Sequence, residues 1–242
     1  MEWLKAEIEF ASAFSYRMPD TSSQFAIPCL LPGPSTVKLG LVATAILHSK
    51  KVDEGERIFG IVKNAEMGFL IPKEIAVFTP LIRRLKAKGE KIKKEKDVKK
   101  GKKPEFERTY GTRGYVLYSE PLILYLRIPQ ACDEDLQKIL KVVKLLRRLG
   151  TSDSLLSVLD VTFEVPKESP WLVRPLERFT ETLRGGLIQK VKDISPNASF
   201  EQINIYRKTD SKAGKEVLIE KFYVVPVKAV KEGGNWTLYS RI

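Results

Sequence analysis

The chain has 242 residues, 43% of them hydrophobic, and a formal charge of +12 from 42 Lys and Arg against 30 Asp and Glu. That apolar content supports a packed core, in one large domain or two small ones, and excludes a disordered chain. A balance this basic points to a polyanionic partner, nucleic acid first and an anionic membrane surface second.

Two cysteines, Cys29 and Cys132, and one histidine, His48, are too few for a disulfide framework or a zinc site. The expected compartment is therefore reducing, and the expected location cytoplasmic. No apolar run approaches the roughly 20 residues needed to span a bilayer. The opening Met1 to Glu7 is charged and amphipathic, unlike a signal peptide. The wealth of Lys and Glu beside scarce Cys, His and Met is a hyperthermophile's bias.

In chain order, residues 2–12 alternate apolar and charged and predict a half-buried strand. A Pro/Ser-rich loop runs from Ser15 to Pro34. Ser35 or Thr36 then caps a helix predicted over about 36–50. Residues 75–85 read as a strand, bulged or on an edge because of Pro80. Gly114 to Tyr118 and Leu122 to Ile128 are rich in β-formers. Asp133 caps a helix whose apolar residues Leu136, Ile139, Leu140, Val143, Leu146 and Leu149 recur at helical spacing until Gly150 stops it. Leu155 to Val165 is again strand-like. The order strand, helix, strand, strand, helix, strand predicts an α+β, ferredoxin-like (RRM-like) βαββαβ domain over residues 1–165. Residues 166–242 are broken by Pro and Gly. Strands are predicted there at Gln202 to Lys208, Glu216 to Val225 and Trp236 to Tyr239, forming a small β-rich C-terminal part.

Between Arg83 and Lys103 stand twelve Lys or Arg against three acids, which supplies +9 of the +12. In the predicted plan this run occupies the connection between the second and third strands, at about 84–112. Such a connection is usually a hairpin loop of about 2–5 residues, so the length calls for a function. The run's cations Arg83, Arg84, Lys86, Lys88, Lys91, Lys93 and Lys94, with Arg108 and Arg113 beyond it, can neutralise phosphates. Tyr110, Tyr115 and Tyr118 nearby offer faces for base stacking. A solvated thermophile loop is the alternative. Arg113 to Tyr118 partly echoes the RRM octamer, but Val116 and Leu117 depart from it and ordinary strand sequence explains the stretch as well.

Arg17, Ser35, Thr36 and Lys38 form a second candidate cluster, since a helix start binds phosphate; simple capping is the competing explanation. His48 is the one candidate for acid–base catalysis, against a role as a helix C-terminal cap. No phosphate-binding GxxxxGKS/T loop, no HExxH and no clustered metal ligands occur, so neither cofactor nor metal is expected.

The segments Phe14-Ser15-Tyr16-Arg17-Met18-Pro19, Ile27-Pro28 and Leu31-Pro32-Gly33-Pro34-Ser35-Thr36-Val37-Lys38-Leu39-Gly40-Leu41 resemble the N-terminal signature of a RAMP-superfamily group. This group is the CRISPR-associated subunit that caps the 5′ end of the guide RNA in type I Cascade complexes, and the archaeal I-A form is the one most resembled. The resemblance is specific over roughly residues 8–48 and agrees in element order to 165. It implies a hairpin thumb where the lysine run lies, with handle nucleotides on the free sheet face and around Arg17. The implied partners are guide RNA, the backbone and large subunits and, indirectly, target DNA, with no membrane. The expected function is a non-catalytic RNA-binding subunit that recognises the 5′ handle and nucleates assembly in antiviral defence. The alternatives are a metal-independent endoribonuclease processing precursor guide RNA through His48 and a ribosome-associated RNA binder.

Overall fold

A computed structural model describes residues 3–21, 27–87, 106–176, 185–204 and 217–242. It is a mixed α/β structure with mostly antiparallel sheets. The central sheet contains β1 (Trp3–Phe10), β2 (Glu66–Leu70), β7 (Leu122–Arg127), β8 (Leu156–Phe163) and the short β9 (Leu172–Val173). Their order is β8-β1-β7-β2-β9, and every neighbouring pair is antiparallel. Alternation along β1 sends Leu4, Ala6 and Ile8 to the buried face. There they join Leu122, Leu124 and Leu126 of β7 in one core with helices α1 (Pro34–Ser49), α2 (Val52–Val62) and α3 (Asp133–Lys144).

The helix ends follow local chemistry, with three corrections. Gly33, not Ser35 or Thr36, is the α1 N-cap, because Pro34 takes the first helical turn, where a missing N–H costs nothing. Cys132, not Asp133, is the α3 N-cap, and Asp133, Glu134 and Asp135 fill the first turn, where carboxylates meet the positive end of the helix dipole. That helix stops at Lys144, short of the predicted 149. Gly150 then turns with φ 85° against the loop before α1; a Cβ there would lie 2.8 Å from the Ser15 carbonyl oxygen. Helix α2 is absent from the sequence-based expectation because Gly55 and Gly60 interrupt its pattern. Gly55 is nonetheless required, since a Cβ there would sit 2.4 Å from Ile46 Cγ1 on α1.

The predicted strand 75–85 is two strands. Pro80 separates β3 (Glu74–Phe78) from β4 (Leu81–Ala87), and neither enters the central sheet. The second central strand is β2, five residues long and easily overlooked. The predicted strand at Gly114 to Tyr118 is β6 (Tyr115–Tyr118), which pairs with β3. Strand β5 (Phe106–Thr112) pairs with β4, and the two pairings share one register, from Ile75 opposite Tyr118 to Ala87 opposite Phe106. One long hairpin therefore runs through both, interrupted at Thr79-Pro80 and Arg113-Gly114.

The segment after 166 is threaded through the rest. Strand β9 extends the central sheet beside β2. Strands β12 (Val227–Glu232) and β13 (Trp236–Arg241) add to β3, giving a second sheet ordered β12-β13-β3-β6. Strands β10 (Leu187–Ile194) and β11 (Leu218–Val225) form a separate pair, with β10 packed on α1. Residue patterns alone did not reveal β10 and β12. At Gln202 the structure holds a short helix, α4 (Phe200–Ile203), instead of a strand, and residues 205–208 of that prediction lie outside the described residues.

Candidate nucleic-acid interface

The β4–β5 ribbon hydrogen-bonds to no third strand among the described residues. Directly opposed residues of an antiparallel pair share a face. Arg83 stands opposite Tyr110, and Leu85 opposite Arg108. One face thus carries Leu81, Arg83 and Leu85 on β4 with Phe106, Arg108 and Tyr110 on β5. The four uncharged members are 56–69% exposed, and both arginines are exposed too. Large apolar groups interleaved with guanidinium groups on an open ribbon match the needs of unpaired nucleic acid: faces to stack on and charge for phosphate. Arg84 and Lys86 also lie on β4, while Lys88, Lys91, Lys93 and Lys94 lie outside the described residues.

At the ribbon's base, Tyr115 stacks on Phe78 across the strand pair, with ring centroids 5.3 Å apart. Trp236 stands opposite Phe78 on the other side, so three aromatic residues align across β13, β3 and β6. Phe78 and Trp236 carry no sequence signal for this role, because a cross-strand row is invisible until strands are paired. Arg113 is ion-paired with Asp153, which holds its guanidinium against the turn after α3.

The N-terminal cluster does not form as expected. Arg17 is exposed, bridging to Pro28 on a loop. Lys38 is 1% exposed, and its ammonium lies 2.8 Å from Asp193 Oδ1 while donating to the Lys63 carbonyl at 2.8 Å. Burial lowers its pKa, and Asp193 opposes that shift. Ser35 is buried; Thr36 Oγ1 is also sealed from solvent and has no hydrogen-bond partner among the described residues. Lys38 and Ser35 therefore cannot touch a phosphate in this fold, and Arg17 is the one member left open.

The loop itself is clamped from the C-terminal segment and from β6. Buried Gln189 accepts from Leu30 N–H at 2.6 Å and donates to the Leu31 carbonyl at 3.1 Å. The Tyr118 and Tyr223 hydroxyls donate to the Leu30 and Pro32 carbonyls at 2.7 and 3.0 Å. Cys29 is enclosed there, and burial pushes its thiol up to about 12.

The central sheet's face away from the helices is unlike an RNA platform. Lys5 pairs with Glu7 and Glu164, and Arg127 with Glu66. Arg127 and Arg174 each lie 5.9 Å from the Trp3 ring centroid. Glu9 and Asp160 add further negative charge, leaving this face ill-suited to phosphate.

His48 is exposed near the end of α1, and among the described residues nothing hydrogen-bonds its imidazole to orient it as an acid or base. Among those same residues no cluster of three His, Cys, Asp or Glu could hold a metal, and no helix is long and apolar enough to cross a membrane.

No family model matches the chain. It is 39% identical over 242 residues to "CRISPR-associated protein Cas5" of Archaeoglobus fulgidus, covering 98% of each protein. Among solved structures it resembles a CRISPR protein from Archaeoglobus fulgidus with a TM-score of 0.50 at 13% identity, over 100% of this chain and 92% of that one. At that identity the second likeness speaks to fold alone.

Proposed function

The chain belongs to the Cas5 family of CRISPR-associated proteins, and on that premise we propose that it is the RNA-binding subunit that holds the guide RNA 5′ handle in an interference complex. The carrying observation is the long hairpin: its register is continuous from the second sheet into an open ribbon bearing Arg83, Arg108, Tyr110 and Phe106 on one face. The ribbon supplies phosphate neutralisation and stacking, and Tyr115 and Arg17 lie on segments that lead toward it or border α1. We read the β8-β1-β7-β2 order, with α1 and α3 on one face, as the ferredoxin-like plan. In this reading residues 1–165 carry the RNA contacts. Residues 166–242 brace them, through β13 on β3 and β10 on α1. The protein acts in the cytoplasm in antiviral defence, alongside backbone and large subunits, and meets target DNA only through them.

The test is a filter-binding titration of the full chain against RNA that bears the 5′ handle and against the same RNA with the handle scrambled. Handle RNA is expected to bind more tightly, and deletion of 88–105 to weaken it at least tenfold. Equal affinity for the two RNAs removes the handle role; equal affinity of the deletion removes the hairpin from it.

A further inference from the structure

Helix α1 has an unusual outer face. From Leu39 to Ser49 it carries no Lys, Arg, Asp or Glu. Its buried side faces the core through Val37, Leu41, Val42 and Ala45. The opposite side presents Leu39, Ala43 and Leu47 at four-residue spacing, and Leu47 is 67% exposed. A helix apolar on all sides is ordinarily covered on all sides. Helices α2 and α3 behave otherwise, with charge toward solvent and apolar residues toward the core.

Two open cavities, of about 620 and 580 Å³, flank this face and meet at His48 and Leu145. Leu149 and Leu155 extend the apolar floor of the first. The rim is basic: Lys141, Lys144, Arg147 and Arg148 line the cavities, and among the described residues none of the four has an acidic partner. Among the described residues Glu54 is the one acid in either lining, and Lys138 is held by Glu134. From Thr36 to Ser49 the α1 axis rises about 20 Å, which matches a helix of about 13 residues.

We propose that this groove is the docking site for an amphipathic helix of another protein subunit, with leucine-like residues on the floor and carboxylates along the basic rim. The proposal rests on the chain working inside a multi-subunit complex. Charge complementarity selects an acidic partner. Nucleic acid is also acidic, but among the described residues neither cavity is lined by Phe, Tyr or Trp, and the floor is aliphatic. Such a floor suits leucine side chains better than bases, whose usual partners are aromatic rings. Ala43 is small and exposed, which allows close approach of a second backbone.

The experiment places a photo-crosslinking p-benzoylphenylalanine at position 47 of the full chain, in the complex assembled with guide RNA and the remaining subunits. Irradiation is expected to join it to a protein subunit, within a helix that has acidic residues beside apolar ones. Leu47→Glu is expected to lower recovery of that subunit at least tenfold while handle-RNA affinity stays within twofold. Arg147→Glu combined with Arg148→Glu provides a second route, independent of any folding defect in the first variant. A crosslink to RNA, a crosslink to a second copy of this chain, or normal assembly of both variants overturns the proposal. Failure of the native chain to bind handle RNA, with the protein crosslink intact, overturns the RNA reading instead and leaves the groove standing.

Discussion

Two regions of this protein carry basic residues that the sequence marks alike as phosphate ligands, and the fold treats them oppositely. The start of α1 and the loop before it are closed except at Arg17: Lys38 on the helix is consumed by Asp193 and the Lys63 carbonyl, and Gln189 pins the backbone at Leu30 and Leu31. The β4–β5 ribbon is open, with arginines and large apolar groups standing in solvent on two strands that are marginal alone. A lysine's charge thus says little about its availability. The deciding factor is whether the fold has already supplied an anion and removed the water.

The largest effect that would break the contrast is at Lys38. Lys38→Met leaves the Asp193 carboxylate and the Lys63 carbonyl without their partner, and is expected to destabilise the fold by about 3–5 kcal/mol in urea unfolding. Adding Asp193→Leu is expected to recover most of that loss. If Lys38→Met instead left stability unchanged and abolished RNA binding, the sealed region would be a binding site after all. Next is Gln189→Leu, which strands a buried N–H and carbonyl and is expected to cost about 1–3 kcal/mol. RNA affinity per folded molecule is expected to stay the same.

On the open side the signs reverse. Arg83→Gln with Arg108→Gln is expected to shift stability by no more than about 0.5 kcal/mol. The same pair is expected to flatten the dependence of log affinity on log salt by about 1.4, roughly 0.7 for each lost phosphate contact on single strands. An unchanged slope would move the binding surface off the ribbon. The smallest effect is chemical. Cys29, with its thiol pushed up to about 12, is expected to resist a thiol reagent at pH 8, while exposed Cys132 reacts. One thiol is expected to titrate in the native protein and two in denaturant; rapid reaction of both in the native protein would show that the loop opens.

Much of the central fold was legible because its strands and helices bury one face each. The alternation of β1, the helical spacing in α3 and the β-rich runs at β7 and β8 all read directly from residue types. Strand β2 was missed because Glu66-Met67-Gly68-Phe69-Leu70 is short and holds a glycine. Residues 75–85 read as one strand because a proline is compatible with a bulge or an edge, whereas Pro80 is the joint between a strand in the second sheet and a strand of the ribbon. The sequence places an insertion at about 84–112; β4 and β5 are its described parts, and residues 88–105 lie outside the described residues. The pairing of β3 with β13 has no sequence signal, since that contact joins residues far apart in the chain.

The sequence by itself determined the properties set by local composition: where charge concentrates, which segments are amphipathic and which turns Pro and Gly enforce. It also determined that α1 has almost no charge on any side. The tertiary structure decided which charges remain free, because Lys38 meets Asp193 only once β10 packs on α1. It decided too that Phe78, Tyr115 and Trp236 form a row and that, among the described residues, nothing covers Leu47 on the outer side of α1. These are consequences of burial and register, which arise between distant segments and so cannot be read from any one of them.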